Sequence, residues 1–200
     1  MSGPDDTLVI VPLKAFSSAK SRLASVRTPS EREALARSLA SGVLDALSGR
    51  RVIVVRGSDD VELDAWAAER GVATVVAPPG LDQAAFTGRE NARERQIGRI
   101  VVCHADLSRP SDLSVVLDRP GSFVVPDRHL DGTNLLALPS DSDFEFAYGP
   151  GSLKRHLDEA VRCGIDLTII EDTDLGIDID EPADLALHLQ QDFGDQSNNE

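Results

Sequence analysis

Two hydrophobic periods alternate along this chain. Short apolar, β-branched runs have the length and composition of buried strands. Between them, apolar residues recur every three or four positions, as on one face of a helix. The runs predict strands at 7–13, 51–56, 73–77, 99–104, 122–125, 133–138, 166–170 and 175–179. The other segments predict helices at 28–49, 58–70, 81–97, 112–117, 151–163 and 182–190.

Two helices carry local signals of their own. Thr28-Pro29-Ser30-Glu31 opens the first helix with a candidate N-cap, a proline in the first turn and a glutamate three residues after the cap. Gly88 interrupts the helix at 81–97, so the continuity of that helix is left open.

This order of elements predicts a fold class. Alternating strands and helices, with nearly continuous apolar strands, are typical of a Rossmann-like α/β fold: a mostly parallel sheet with helices on both faces. With 41% hydrophobic residues the chain can bury one core, so we expect a single domain over 1–190. The polar residues 191–200 predict a disordered tail. In such folds ligands bind beyond the carboxyl ends of the strands.

Charge and composition narrow the range of partners. The net charge of −14 argues against binding to nucleic acid or to an anionic membrane surface. No apolar run is long enough to cross a bilayer, and the polar, acidic N-terminus lacks a secretory pattern, so we expect a cytoplasmic protein.

Cys103 and Cys163 lack metal-ligand spacing and are interpreted as core thiols. Whether two copies of the chain form a homodimer is left open.

An acidic pair near the C-terminus is the first candidate for chemistry. Asp178-Ile179-Asp180 alternates as a strand does, which would place both carboxylates on one face. Adjacent carboxylates repel unless a cation lies between them, and oxygen ligands suit Mg²⁺ or Mn²⁺. The alternative from these residues alone is a solvated acidic strand end.

The loop after the first strand is the second candidate. Residues 12–23 carry Lys14, Lys20 and Arg22 among hydroxyl and small side chains. Such a loop can bind polyphosphate through backbone N–H groups and ammonium charges. It lacks the glycines of a P-loop or of a dinucleotide-binding fingerprint. An exposed basic loop is the alternative.

Three further segments follow the same logic. Asp106 ends an apolar strand, where it could supply a third carboxylate or simply cap a turn. Thr133 follows a glycine turn and offers a hydroxyl group at a strand start. Gly149 precedes a helix that Ser152 opens, and the N–H groups at this N-terminus favour an anion, although Ser152 could be an ordinary cap. His104 is interpreted as a packed or solvated histidine rather than a ligand.

Taken together and in this order, the segments resemble the 2-phospholactate guanylyltransferase family, which includes the bacterial phosphoenolpyruvate guanylyltransferases of coenzyme F420 biosynthesis. The matching stretches are VPLKAFSSAKSRLA, HADL, DGTNLL, YGPGSLKRH and IDIDEPADL. They extend from about Leu8 to Leu189, nearly the whole chain. The resemblance implies a nucleotidyltransferase of glycosyltransferase-A-like architecture that transfers GMP from GTP to phosphoenolpyruvate or 2-phospho-L-lactate and releases pyrophosphate.

The resemblance also implies roles for individual residues. Asp106, Asp178 and Asp180 match the metal-binding acids, for Mg²⁺ or Mn²⁺. Thr133, Gly149 and Ser152 match positions that hold the phosphorylated acid, with Gly149 and Ser152 offering N–H groups. Lys14 and Lys20 are the candidate catalytic cations, stabilising charge on the leaving pyrophosphate. The expected nucleotide-binding set is Leu13, Lys14, Lys20, Arg22, Gly80 and Asp82.

Two positions depart from the family pattern. Asp82 stands where the family usually has Asn, and a carboxylate there could accept from guanine N1–H and N2–H. Ser108 stands where the family usually has Pro. These departures motivate one alternative, a non-catalytic nucleotide-binding paralogue. A related nucleotidyltransferase with a different acceptor is the other alternative.

Overall fold

The buried apolar runs of the sequence pair into one sheet. Residues 6–171 and 173–188 are described by the computed structural model, and within them seven strands lie in the order β3-β2-β1-β4-β6-β5-β7. The strands are β1 (Thr7–Leu13), β2 (Arg51–Arg56), β3 (Ala73–Val76), β4 (Arg99–Cys103), β5 (Ser122–Pro126), β6 (Thr133–Pro139) and β7 (Leu167–Ile169).

Strand direction decides where the ends of the strands meet. Among the described strands, β6 alone runs against its neighbours β4 and β5, and the remaining pairs are parallel. The predicted mostly parallel sheet is therefore confirmed. The start of β6 lies at the edge where β4 ends, since His104 N–H donates to the carbonyl of Asn134 at 3.0 Å.

The helices cover both faces of the sheet, as predicted. Val9 and Val11 of β1 pack towards α1, α2 and α4, whereas Leu8 and Ile10 pack towards α3 and α5. Five α-helices have both ends within the described residues: α1 (Pro29–Ala46), α2 (Glu62–Ala68), α3 (Leu81–Glu94), α4 (Leu113–Leu117) and α5 (Ser152–Arg162). Residues 182–188 are also helical. Short 3-10 turns lie at Phe16–Ser18, Ser21–Ser25, Pro110–Asp112 and Asp174–Gly176.

The start of α1 follows its sequence signal. Thr28 Oγ1 accepts from the N–H of Glu31 at 3.3 Å, and the Glu31 carboxylate accepts from the N–H of Thr28 at 2.8 Å. The predicted capping box is confirmed, with Pro29 in the first turn.

Several predicted boundaries differ from those observed. The helix predicted at 58–70 begins at Glu62, because residues 57–61 form turns instead. The strand predicted at 175–179 is wrong: a 3-10 turn occupies Asp174–Gly176, and Asp178 makes a single bridge to Leu107. Leu107 lies in a loop, so the pairing does not continue into a ladder of backbone hydrogen bonds. The tail predicted at 191–200 lies outside the described residues, and the single domain over 1–190 stays a prediction.

In the described part of the chain, no helix combines the length and the apolar character needed to cross a bilayer.

Gly88 lies inside α3 without interrupting it. The helix runs unbroken from Leu81 to Glu94, and Gly88 faces β1. A Cβ atom at position 88 would lie 2.6 Å from Cγ2 of Ile10 and 2.8 Å from its Cδ1. Glycine therefore allows the helix to approach the central strand closely, which outweighs its poor helix propensity.

A buried histidine fixes α5 to the sheet. His156 is 0% exposed, and its Nε2 accepts from the N–H of Ala147 at 3.2 Å. The proton therefore resides on Nδ1, which donates to Thr133 Oγ1 at 3.0 Å. Burial, helped by the charge of Arg155, lowers the pKa of His156 from 6.5 to about 4.

The contact at Gly88 generates a stability prediction. Gly88→Ala should lower the free energy of unfolding by about 1–3 kcal/mol, because overpacking against Ile10 exceeds the gain in helix propensity. Urea unfolding measures this. In an Ile10→Ala background the same change should cost less, since the clashing carbons are gone. An equal cost in both backgrounds would contradict the packing argument.

The buried histidine generates a pH prediction. The unfolded chain takes up a proton at His156 near pH 6.5, but the folded protein does so only near pH 4. Stability should therefore fall as the pH drops through this window, by up to about 3 kcal/mol more in the wild type than in His156→Gln. Unfolding at several pH values checks the difference, and NMR of the ring checks the pKa. A titration near pH 6.5 in the folded protein would refute it.

Candidate active site

Two loop segments bring three carboxylates together. Ser108 N–H donates to the carbonyl of Ile177 at 2.7 Å, and Ile179 N–H donates to the carbonyl of Asp106 at 3.2 Å. This pairing places Asp178 and Asp180 beside Asp106, which follows the end of β4. One ligand oxygen from each of the three lies within 4.8 Å of the others. The expected trio is thus assembled by paired loops rather than by a strand.

The electrostatics of this cluster favour a cation. Burial raises the pKa of Asp178 to about 6, and the neighbouring charges of Asp106 and Asp180 add to the shift. Asp106 Oδ1 is buried and has no hydrogen-bond partner among the described residues. An unpartnered carboxylate oxygen within an all-oxygen set fits a hard divalent ion.

Lys20 supplies positive charge to the same cluster. Its Nζ lies 2.6 Å from Asp106 Oδ2 and 3.1 Å from Asp180 Oδ1, with 5% of the side chain exposed. Burial alone would lower the pKa of Lys20, but the two carboxylates raise it overall, and the same contact lowers the pKa of Asp106 against its own burial. Lys20 adopts a left-handed backbone with φ of 54°, uncommon for a non-glycine residue. Arg22 Nη1 lies 3.6 Å from Asp180 Oδ2.

Two adjoining cavities open onto the first loop. One of about 380 Å³ is lined by the three carboxylates together with Lys14 and Lys20. The other, of about 400 Å³, lies beyond the ends of β1, β2 and β3. The two cavities share four lining residues: Leu13, Lys14, Ser18 and Leu81. The arrangement provides an acidic, cation-lined chamber next to a more apolar one.

Sequence reasoning missed the turn at 57–60, which lines the cavity beyond β1, β2 and β3. Arg56 holds this turn: its guanidinium donates to the carbonyl of Gly57 at 2.8 Å and pairs with Asp64 through two nitrogens. The available signal was Gly57 directly after the buried strand β2, at the carboxyl edge where ligands bind.

Gly80 lies on the far side of that cavity, whereas Asp82 is not among the residues that line it. Gly80 lines it with φ of 115°, ahead of α3. Asp82 Oδ1 accepts from the N–H of Tyr148 at 2.7 Å. One Asp82 oxygen thus connects α3 to the loop before α5, and guanine recognition by Asp82 stays a prediction.

The predicted acceptor residues lie around that loop. Thr133 and Ser152 are buried, and Ser152 Oγ donates to Thr133 Oγ1 at 3.2 Å. Ser152 N–H donates to the carbonyl of Gly149 at 3.0 Å, so it is not free to bind an anion in this conformation, contrary to the N–H role expected of it. Arg155 donates to the carbonyls of Ala147, Tyr148, Gly149 and Pro150. The loop before α5 is therefore preorganised, and the buried hydroxyl groups of Thr133 and Ser152 support it through their hydrogen bond.

Solved structures with this fold support the architecture. The nucleotidyl transferase of Methanothermobacter thermautotrophicus aligns with a TM-score of 0.62 at 15% identity, covering 92% of this chain and 98% of that one. A proposed nucleotide-diphospho-sugar transferase of Desulfovibrio desulfuricans aligns with a TM-score of 0.75 at 16% identity, covering 94% and 86%. At such identities the likeness shows the fold alone.

Curated relatives are closer in sequence. The phosphoenolpyruvate guanylyltransferase of Sphaerobacter thermophilus is 37% identical over 187 residues, covering 90% of both chains. The 3-phospho-D-glycerate guanylyltransferase of Phenylobacterium zucineum is 33% identical, covering 88% of this chain and 86% of the relative. The 2-phospho-L-lactate guanylyltransferase of Natrialba magadii is 30% identical, covering 89% and 81%.

The family match spans nearly the whole chain. Residues 7–198 match the family described as "Guanylyl transferase CofC like". The match includes the carboxylate trio, the first loop and the loop before α5. Together with the relatives, it shows that this chain belongs to the CofC-like guanylyl transferase family.

Proposed function

We propose that this protein transfers GMP from GTP to the phosphate of phosphoenolpyruvate, or of 2-phospho-L-lactate, and releases pyrophosphate in coenzyme F420 biosynthesis. The observation that carries the proposal is the carboxylate trio with Lys20, facing a cavity that adjoins a second, nucleoside-sized one. This is the arrangement that a reaction between two phosphorylated anions requires, because repulsion between them is the main barrier.

The reaction needs charge neutralisation and alignment more than proton transfer. An acceptor phosphate oxygen, already ionised at neutral pH, attacks the α-phosphorus of GTP. The bond from that phosphorus to the bridging oxygen breaks, and pyrophosphate leaves with the electron pair. Lys14 and Lys20 line the chamber and would stabilise the growing charge on the leaving group. Arg22 lies close enough to assist.

Asp106, Asp178 and Asp180 would hold Mg²⁺, or Mn²⁺ in its place. An ion held there would supply Lewis-acid stabilisation and offset the negative charge of the reacting phosphates. The support is the unpartnered Asp106 Oδ1 and the raised pKa of Asp178, both of which a divalent cation would relieve.

The acceptor is chosen by comparison. The relatives from Sphaerobacter thermophilus and Rubrobacter xylanophilus, at 37% and 35% identity, are both named for phosphoenolpyruvate. Relatives named for 3-phospho-D-glycerate and 2-phospho-L-lactate are 33% and 30% identical. Phosphoenolpyruvate is therefore the proposed acceptor, and 3-phospho-D-glycerate and 2-phospho-L-lactate are the alternatives.

A direct assay tests the proposal. The protein, GTP and Mg²⁺ should release pyrophosphate with phosphoenolpyruvate, and mass spectrometry should detect the guanylylated acid. Reactions without acid, and with ATP or CTP in place of GTP, are the controls. Absence of release with all three acids would overturn the activity. GTP binding by thermal shift without release would favour the non-catalytic alternative.

Removing one carboxylate charge generates a prediction. Asp180→Asn should lower kcat by about a hundredfold or more, because the amide cannot replace the carboxylate as a ligand. Asp118→Asn is the matched control, since Asp118 pairs with Arg50 at the opposite end of the sheet. Initial rates of pyrophosphate release measure both. Turnover by Asp180→Asn at the wild-type rate would remove Asp180 from the site.

The three lysines of the chain provide a matched set of variants. Lys20→Met should lower kcat/KM for GTP by about a hundredfold, because Lys20 neutralises the chamber that receives the phosphates. Lys14→Met should impair GTP use as well, since Lys14 lines both cavities. Lys154→Met should act like the wild type, because Lys154 is exposed on α5. Equal kinetics for all three variants would contradict the assignment.

A further inference from the structure

Asp184 holds the backbone of Asp180 in place. Asp184 is 5% exposed, and its Oδ2 accepts from the N–H of Asp180 at 3.1 Å and of Glu181 at 2.7 Å. This is the reaching-back half of a capping box, at the start of the helix at 182–188. The side chain of Asp180, by contrast, is 45% exposed, and its ion-pair partners within the described part of the chain are Lys20 and Arg22. Its position is therefore set largely through its backbone.

Arg128 balances the buried charge of Asp184. Its Nη2 donates to Asp184 Oδ1, the oxygen that the two backbone N–H groups leave free. A buried carboxylate without its cation carries a large desolvation penalty and would be neutralised or displaced. The hold of Asp184 on Asp180 thus depends on Arg128.

The turn that carries Arg128 is itself fixed. It follows β5, and Asp127 Oδ1 accepts from the N–H of His129 at 3.1 Å and of Asp131 at 2.9 Å. From the same turn, Asp131 Oδ2 accepts from the N–H of Gly151 at 2.8 Å, and its carbonyl accepts from Leu153 at 2.9 Å. One rigid turn therefore contacts both the carboxylate segment and the predicted acceptor loop.

We propose that Arg128 and Asp184 are positioning residues for the cation site, setting the geometry of Asp180 without touching the substrate. The inference rests on the proposed function, because it takes Asp180 to be a metal ligand. The proposal also assigns different effects to two residues of the same turn. Loss of Arg128 should weaken the cation site, whereas loss of Asp131 should raise the KM for the acceptor acid.

Binding of Mn²⁺, followed by electron paramagnetic resonance on the full chain without nucleotide, gives a readout apart from activity. Arg128→Met and Asp184→Asn should each weaken Mn²⁺ binding by about tenfold. Arg128→Lys should restore most of it, since an ammonium group can still pair with Asp184. Arg50→Met is the control: its arginine is about as exposed as Arg128, 23% against 29%, and its pair with Asp118 lies away from the site, so Mn²⁺ affinity should stay unchanged.

The outcomes distinguish the inference from the function beneath it. Wild-type affinity for Mn²⁺ in Arg128→Met and Asp184→Asn overturns the positioning role and leaves the proposed function intact. Failure of the wild type itself to bind Mn²⁺ overturns the cation site and the inference with it. Melting temperatures show whether the variants fold. If Arg128→Met unfolds, Asp184→Asn decides. Where both variants fold, additive effects of the Arg128→Met and Asp184→Asn changes in the double variant would also refute the coupling.

Discussion

Repulsion among three carboxylates is the constraint on which the site depends. Asp106, Asp178 and Asp180 each bring an oxygen within 4.8 Å of the others, and burial makes this repulsion stronger than it would be in water. Lys20 offsets part of it through contacts of 2.6 and 3.1 Å, from a left-handed backbone that costs energy to maintain. Burial first, and then the charges of Asp106 and Asp180, raise the pKa of Asp178, so Lys20 does not cancel the negative charge around that residue. A cluster with residual negative charge is suited to receive a cation together with phosphate groups.

The strand order places the second cavity and the predicted acceptor loop on opposite sides of this cluster. The cavity of about 400 Å³ lies beyond β1, β2 and β3, whereas Thr133 and the loop before α5 lie beyond β4 on the other side. The reversal of β6 is what puts Thr133 at the same edge as Asp106, because a parallel β6 would place its start at the opposite edge. The carboxylates therefore stand between the cavity of about 400 Å³ and the predicted acceptor loop, as the proposed transfer between two ligands requires.

Local signals predicted much of the fold, and contacts between distant residues account for the errors. The capping box at Thr28 and Glu31 and the apolar run of β1 involve neighbours in sequence, and both were predicted correctly. Asp178 was assigned to a strand because alternation does not reveal that its partner, Leu107, belongs to a loop. The role of Gly88 depends on Ile10, and that of Asp82 on Tyr148, and no pattern near either residue identifies these partners. The carboxylate trio itself was found because its members come from segments that resemble the family as a set.

The structure gives physical meaning to the two departures from the family pattern. Asp82 accepts the N–H of Tyr148, a bond that the oxygen of an asparagine could make equally well, so the change adds charge without removing the tether. Ser108 donates its N–H to Ile177 at 2.7 Å, and a proline there would have no N–H to give. In this chain the departure adds a hydrogen bond to the pairing that assembles Asp106 and Asp178. Both residues therefore make contacts that support the local structure of the site, and neither departure by itself argues for a non-catalytic paralogue.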